Sequence, residues 1–129
     1  MFEPIKSSTE ELGSRLLDAA FDVLRKLGPG LLESVYEICV CHELEKLGVP
    51  FKRQVCLPIK YDGMQIDSGL RLDIVVADQV ICELKSVETI LAIHEAQLMT
   101  YLKLTGMRLG FLINFNVSLL KNGIKRIVL

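Results

Sequence analysis

Two runs of this sequence that should be buried strands carry three charges. The stretch GLRLDIVVADQVICELKS, residues 69–86, alternates and turns like a β-hairpin, yet Asp73, Glu83 and Lys85 sit in it among Leu, Ile, Val and Cys. A buried charge is costly unless it is paired or binds a metal. Strand side chains alternate, so Ile81, Glu83 and Lys85 share one face of their strand. In the preceding strand Leu70, Leu72, Ile74 and Val76 form one face and Arg71, Asp73 and Val75 the other. An antiparallel turn near Asp78 brings Asp73 opposite or diagonal to the Glu83 and Lys85 side. A structural salt bridge from Lys85 to either acid would account for that acid alone. Two acids converging on one lysine leave surplus negative charge, which raises a carboxylate pKa unless a cation is supplied. Mg²⁺ or Mn²⁺, a hard ion held by one or two carboxylates, a carbonyl and waters, is the sharper answer.

A helix adds a further acid. At about 100° per residue, Glu33 falls on the stripe of Tyr36, Val40, Leu44 and Leu47, while Glu45 falls away from it. Gly28-Pro29-Gly30 just upstream puts Glu33 in the first helical turn, where the helix dipole also favours an acid.

The elements that must position these residues follow in order. Ser8 as N-cap with Glu11 three residues on reads as a capping box, and Leu12, Leu16, Ala19, Ala20, Val23, Leu24 and Leu27 follow at helical spacing. A second helix is expected from about Leu31 to Leu47, stopped by Gly48. Val55, Leu57, Ile59 and Tyr61 alternate as a strand into an Asp62-Gly63 turn, and the hairpin of residues 69–86 completes a meander. A third helix is expected over 88–105, with Ile90, Ile93, Gln97, Tyr101 and Leu104 on one face. RLGFLINF, 108–115, reads as a buried strand and GIKRIVL as a last edge strand. The order ααβββαβ(β) predicts an α/β domain with a mixed central sheet flanked by helices, the third helix crossing over to the fourth strand.

Composition narrows the function classes. A chain of 129 residues is expected to be one domain, 1–129. Its net charge of -1 is no basic surplus, so any nucleic-acid contact must be local. MFEPIKSSTEE lacks the pattern of a signal peptide and no apolar run approaches the ~18 residues of a membrane span, so no membrane partner and a cytosolic location are expected. Cys39, Cys41, Cys56 and Cys82 read as buried reduced thiols. Cys39-Val-Cys41-His42 on a helix points its two thiols nearly opposite ways and is rejected as a zinc site.

Asp73 followed by Glu83-Leu84-Lys85, with a helix acid upstream and an αβββαβ core, resembles the PD-(D/E)XK nuclease superfamily with its restriction-endonuclease-like fold. Gly30-Leu-Leu-Glu33-Ser-Val-Tyr36, His94-Glu-Ala-Gln97-Leu-Met-Thr-Tyr101-Leu and the tail INFNVSLLKNGIKRIVL resemble the GxxExxY family within it. The first helix is then an extra N-terminal element. Leu72 precedes Asp73, where the superfamily's name has a proline. The resemblance implies a divalent-metal-dependent nuclease using Mg²⁺ or Mn²⁺. Asp73 and Glu83, with the Leu84 carbonyl, would hold the ion, and Glu33 would complete its site or hold a metal-bound water. Lys85 would orient an attacking water and offset charge on the transition state. Gln97 and Tyr101, one turn apart, would orient the lysine or grip the phosphate backbone. His94 is expected at the surface near the site's edge. Lys52, Arg53, Arg71, Lys103, Arg108, Lys125 and Arg126 are candidates for substrate grip. Nucleic acid, DNA more than RNA, is the implied partner, and the apolar tail strand admits a homodimer. Two other classes stay open at this point: a catalytically silent binding or assembly module, and a phosphohydrolase of small substrates.

Overall fold

Leu109–Asn114 becomes a strand whose every residue is buried. It belongs to a computed structural model that describes residues 3–129; the first two residues of the expected domain lie outside the described ones. In chain order the elements are α1 (Ser7–Leu27), α2 (Glu33–Lys46), β1 (Phe51–Cys56), β2 (Ile59–Tyr61), β3 (Met64–Ile66), β4 (Arg71–Val76), β5 (Val80–Lys85), α3 (Ala92–Thr105), β6 (Leu109–Asn114) and β7 (Ile124–Val128). Five strands form a mixed sheet in the order β1-β4-β5-β6-β7. Only β5 and β6 are parallel, joined by the α3 crossover, and β7 lies at the edge as expected. Among the described residues no helix is long and apolar enough to cross a membrane.

Each face of the sheet has its own core. Leu16, Ala20 and Val23 of α1 and Tyr36, Val40 and Leu44 of α2 pack on Ile74, Val76, Val80, Cys82 and Leu84. Leu98, Tyr101 and Leu102 of α3 pack on Val75, Ile81 and Leu112. Each Leu, Ile or Val among them contributes about 1.5–3 kcal/mol by leaving water. Helix α3 lies close against the sheet, because Gly110 offers no side chain there: a Cβ would stand 3.1 Å from the Leu98 methyl carbons. Glu43 is a buried acid of the structural kind, bridging Lys26 at 2.7 Å and Lys46 at 2.9 Å and so tying α1 to α2. Its carboxyl is lowered to about 2 by the hydrogen bonds from those two lysines.

Several boundaries differ from the sequence expectation, each for a physical reason. Helix α1 begins two residues early, with Lys6 as N-cap and Ser8 inside the first turn, so the Ser8 capping box does not form. The hydrogen bond from Thr9 Oγ1 to Gln79 Oε1, 2.6 Å, draws that turn against the β4–β5 connection. Helix α2 starts at Glu33 rather than Leu31. The expected strand from Val55 to Tyr61 splits, since Pro58 has no N–H to give a ladder. Strand β1 ends at Cys56, and β2 with β3 forms a separate two-stranded hairpin around Asp62-Gly63. Ala77 and Asp78, with φ of 49° and 57°, turn the β4–β5 hairpin as expected.

Helix α3 starts at Ala92 rather than 88, because the Asn114 side chain takes the Val87 backbone for itself. Asn114 Nδ2 donates to the Val87 carbonyl at 2.8 Å, and its Oδ1 accepts the Val87 N–H at 3.1 Å. The buried face of α3 is Leu98, Tyr101 and Leu102, while Ile93 is 67% exposed. Of the four cysteines, Cys41 and Cys82 are buried, Cys39 is half-buried and Cys56 is exposed.

Candidate active site

The β4–β5 ladder pairs Val76 with Val80, Val75 with Ile81 and Ile74 with Cys82. Beyond Ile74 the strands fork, and the next pair in register is Asp73 and Glu83. Their side chains bridge the fork reciprocally. The Asp73 N–H donates to Glu83 Oε1 at 3.1 Å, and the Leu84 N–H donates to Asp73 Oδ2 at 2.9 Å. The backbone is irregular at the same level. Leu72 and Ile74 should share a face by alternation, but Leu72 packs in the α3 core and Ile74 in the α1–α2 core. The expectation of one face for Leu70, Leu72, Ile74 and Val76 therefore fails at Asp73.

This arrangement concentrates negative charge. Glu83 is buried and Asp73 half-buried, and each carboxyl accepts a backbone N–H from the opposite strand, which sets the two side by side. Burial first, and then the charge of Asp73, raise Glu83 to about 8. Burial likewise raises Asp73, with the charge of Glu37 adding to it. Two carboxylates in contact cannot both ionise without a proton or a cation between them. Lys85, half-buried on the same strand, acts on both carboxyls, yet among the described residues it forms no ion pair and no side-chain hydrogen bond. Lys85 therefore does not make the direct salt bridge that would explain either acid structurally.

The helices supply the rest. Tyr101 is buried beside the pair, and its hydroxyl pKa is raised by burial and by the charges of Glu83 and Asp73. Gln97, one turn earlier, is exposed, and its side chain makes no hydrogen bond among the described residues. Glu33 is not on the core-facing stripe: it is exposed, and its Oε2 accepts the Ser86 N–H at 3.3 Å, just past Lys85. Ser86 Oγ also donates to the Leu31 carbonyl at 2.7 Å. Tyr36 holds this loop from within. It stacks on Phe115 at 4.4 Å, its hydroxyl donates to the Gly28 carbonyl at 2.7 Å, and it accepts the Leu31 N–H at 3.0 Å. Tyr36→Phe leaves both backbone groups unpaired, so its melting temperature is expected about 5 °C lower, with faster amide exchange at Leu31 and Ser86. Unchanged exchange at both amides would contradict this reading of the loop.

The buried acid of α2 that faces the fork is Glu37, which the sequence pattern did not single out. Arg53 grips its Oε2 through Nε at 2.9 Å and Nη2 at 2.6 Å. Gln54 Nε2 donates to its Oε1 at 2.8 Å and reaches Asp73 Oδ1 at 3.5 Å. The spacing of Glu37 with Cys41 and Leu44 carries the signal, one residue round the helix from the stripe of Glu33, Tyr36 and Val40. His94 is half-buried and accepts the Leu91 N–H on Nδ1 at 3.0 Å, closing the first turn of α3. Several basic candidates are engaged: Lys52 with Asp78, Arg53 with Glu37, Arg126 with Glu10, and Arg108 with the carbonyls of Pro4 and Leu129. Arg71 Nη1 donates to the Gln54 carbonyl at 3.4 Å.

The donor set at the fork is hard oxygen with a deficit of positive charge, which fits Mg²⁺ or Mn²⁺. Among the described residues no third His, Cys, Asp or Glu joins the pair to make a ligand cluster, Glu33 included. A family model described as the PD-(D/E)XK nuclease superfamily matches residues 10–127. No curated protein and no solved structure matches the chain.

Proposed function

We propose that this chain, which belongs to the PD-(D/E)XK nuclease superfamily, is a divalent-metal-dependent nuclease of the GxxExxY type that hydrolyses phosphodiester bonds at the β4–β5 fork. The observation that carries the reading is the Asp73–Glu83 pairing across the fork, one buried and one half-buried carboxyl short of a cation, with Lys85 two residues on and without an ion pair among the described residues. Asp73 and Glu83, with the Leu84 carbonyl, would hold Mg²⁺ or Mn²⁺, which when bound polarises the phosphate and makes water more acidic.

The chain's own groups do the remaining work. The ammonium of Lys85 orients a water for attack and faces the negative charge that builds on the phosphoryl oxygens. Tyr101 keeps its proton, since burial raises its pKa, and so offers a fixed donor to a phosphate oxygen. Gln97, exposed one turn earlier on α3, reaches the backbone of a longer substrate. Glu33 fixes the strand end that carries Lys85 by accepting the Ser86 N–H. Gly30, with φ of 94°, lets the loop turn into α2, so the Gly30, Glu33 and Tyr36 spacing supports the GxxExxY assignment through a shared task of loop placement.

The test is cleavage of end-labelled single- and double-stranded DNA and RNA with Mg²⁺, Mn²⁺ or EDTA. Cutting that needs the ion and stops in EDTA is expected, with DNA the favoured polymer. Hydrolysis of nucleotides but of no polymer would replace this reading with a small-substrate phosphohydrolase. No cutting by folded protein in any metal would make the domain a binding module.

A further inference from the structure

We infer that Gln54 is a positioning residue of the site, orienting the Asp73 carboxylate across the β1–β4 pair while the Arg53–Glu37 ion pair fixes the Gln54 amide. The inference rests on the metal-dependent reading proposed above and extends it to residues outside the acid and lysine pattern. The register pairs Arg53 with Ile74 and Val55 with Leu72, so Gln54 lies directly opposite Asp73. Its amide nitrogen is 2.8 Å from Glu37 Oε1 and 3.5 Å from Asp73 Oδ1. Both neighbours are carboxylate oxygens, which accept and do not donate, so the NH₂ side of the amide must face them. Glu37 is in turn held by two bonds from Arg53 and is 5% exposed. The chain Arg53, Glu37, Gln54, Asp73 thus ends on the oxygen of Asp73 that the Leu84 N–H does not occupy.

The backbone carries the second observation. Gln54 has φ of 50° in the middle of a strand, a left-handed conformation that a residue with a side chain rarely takes. Arg71 holds its carbonyl from the neighbouring strand. Such a conformation persists where surrounding structure imposes it, and it is commonest at functional sites. Here it aims the side chain at Glu37 and Asp73 together, and the strand is irregular at the level where β4 forks.

The test separates this role from a merely structural one. Gln54→Leu removes the donor, and Gln54→Gly removes it while relieving the positive φ. Both are expected to weaken Mg²⁺ binding about tenfold, the lower end of what an outer partner of a metal ligand contributes. Gln54→Gly should do so with its melting temperature unchanged or raised. Gln79→Leu, which loses a hydrogen bond to Thr9 far from the fork, should keep wild-type affinity. Wild-type affinity in folded Gln54→Leu and Gln54→Gly would overturn the inference. If wild-type protein bound no Mg²⁺, the metal-dependent reading would fail by itself. Gln54 would then be judged on its side-chain amide resonances in metal-free protein. A response to Asp73→Asn but not to Gln79→Leu upholds the contact with Asp73, and no response to Asp73→Asn rejects it.

Discussion

Lys85→Ala is expected to slow phosphodiester cleavage about a thousandfold, the size of effect that removing one preorganised charge or donor from a transition state produces, while Mg²⁺ binding survives. The two halves follow from one arrangement. Lys85 forms no ion pair and no side-chain hydrogen bond among the described residues, so truncating it leaves no buried partner stranded. Its positive charge lowers the pKa of both Asp73 and Glu83, so its loss makes the pair hold its proton more firmly but also removes a charge that repels an incoming cation, and the two effects oppose each other in ion binding. The loss therefore falls on the chemical step and not on assembly of the site. Single-turnover cleavage and a calorimetric Mg²⁺ titration on the same variant separate the two. Cleavage near the wild-type rate would remove Lys85 from the mechanism, and loss of Mg²⁺ binding would make it part of the ion's site.

Glu83→Gln is expected to stabilise the metal-free protein at alkaline pH and to abolish its response to Mg²⁺. Glu83 is raised to about 8 in the folded chain from an ordinary 4.5, by burial first and then by the charge of Asp73. Between those values the folded chain keeps a proton that the unfolded chain releases. Stability must then fall as pH rises through the window, and the raised Asp73 adds to the slope in the same direction. Gln carries no charge and keeps an oxygen for the Asp73 N–H. At pH 8 without metal the variant should melt about 8 °C above wild type, for about 2 kcal/mol, with the difference vanishing near pH 4.5. Added Mg²⁺ should raise the wild-type melting temperature and leave the variant's unchanged. Parallel pH profiles of the two proteins would contradict the account.

The acid and lysine pattern was legible because strand alternation and a two-residue turn are local rules. They set Asp73 across from Glu83 without knowledge of the rest of the chain. The superfamily and the mixed sheet flanked by helices follow from the same elements, and the match over residues 10–127 agrees with them. What was not legible depends on contacts distant in sequence. Helix α3 is apolar on several sides, and two stripes share Tyr101. Only packing of Leu98 on Gly110 decides that Leu98 and Leu102 face the sheet and Ile93 does not. Its start was misplaced because Asn114, on another strand, takes the Val87 backbone. Gln54 gave no signal, since a positive φ in a strand is imposed by its neighbours and is not encoded by its residue type. Glu37 was passed over for Glu33 because both fit a helical stripe one turn apart. The Arg53 that makes Glu37 a tolerable buried acid arrives from another strand.

The central claim is that Asp73 and Glu83 together form a divalent-ion site, and calorimetric titration of Mg²⁺ into wild type and Asp73→Asn at pH 7 addresses it most directly. The account predicts one site in the wild type, with a heat that varies with buffer because binding expels the proton held by Glu83, and no such site in the variant. Equal binding by the two proteins, or none by folded wild type with either Mg²⁺ or Mn²⁺, would contradict it.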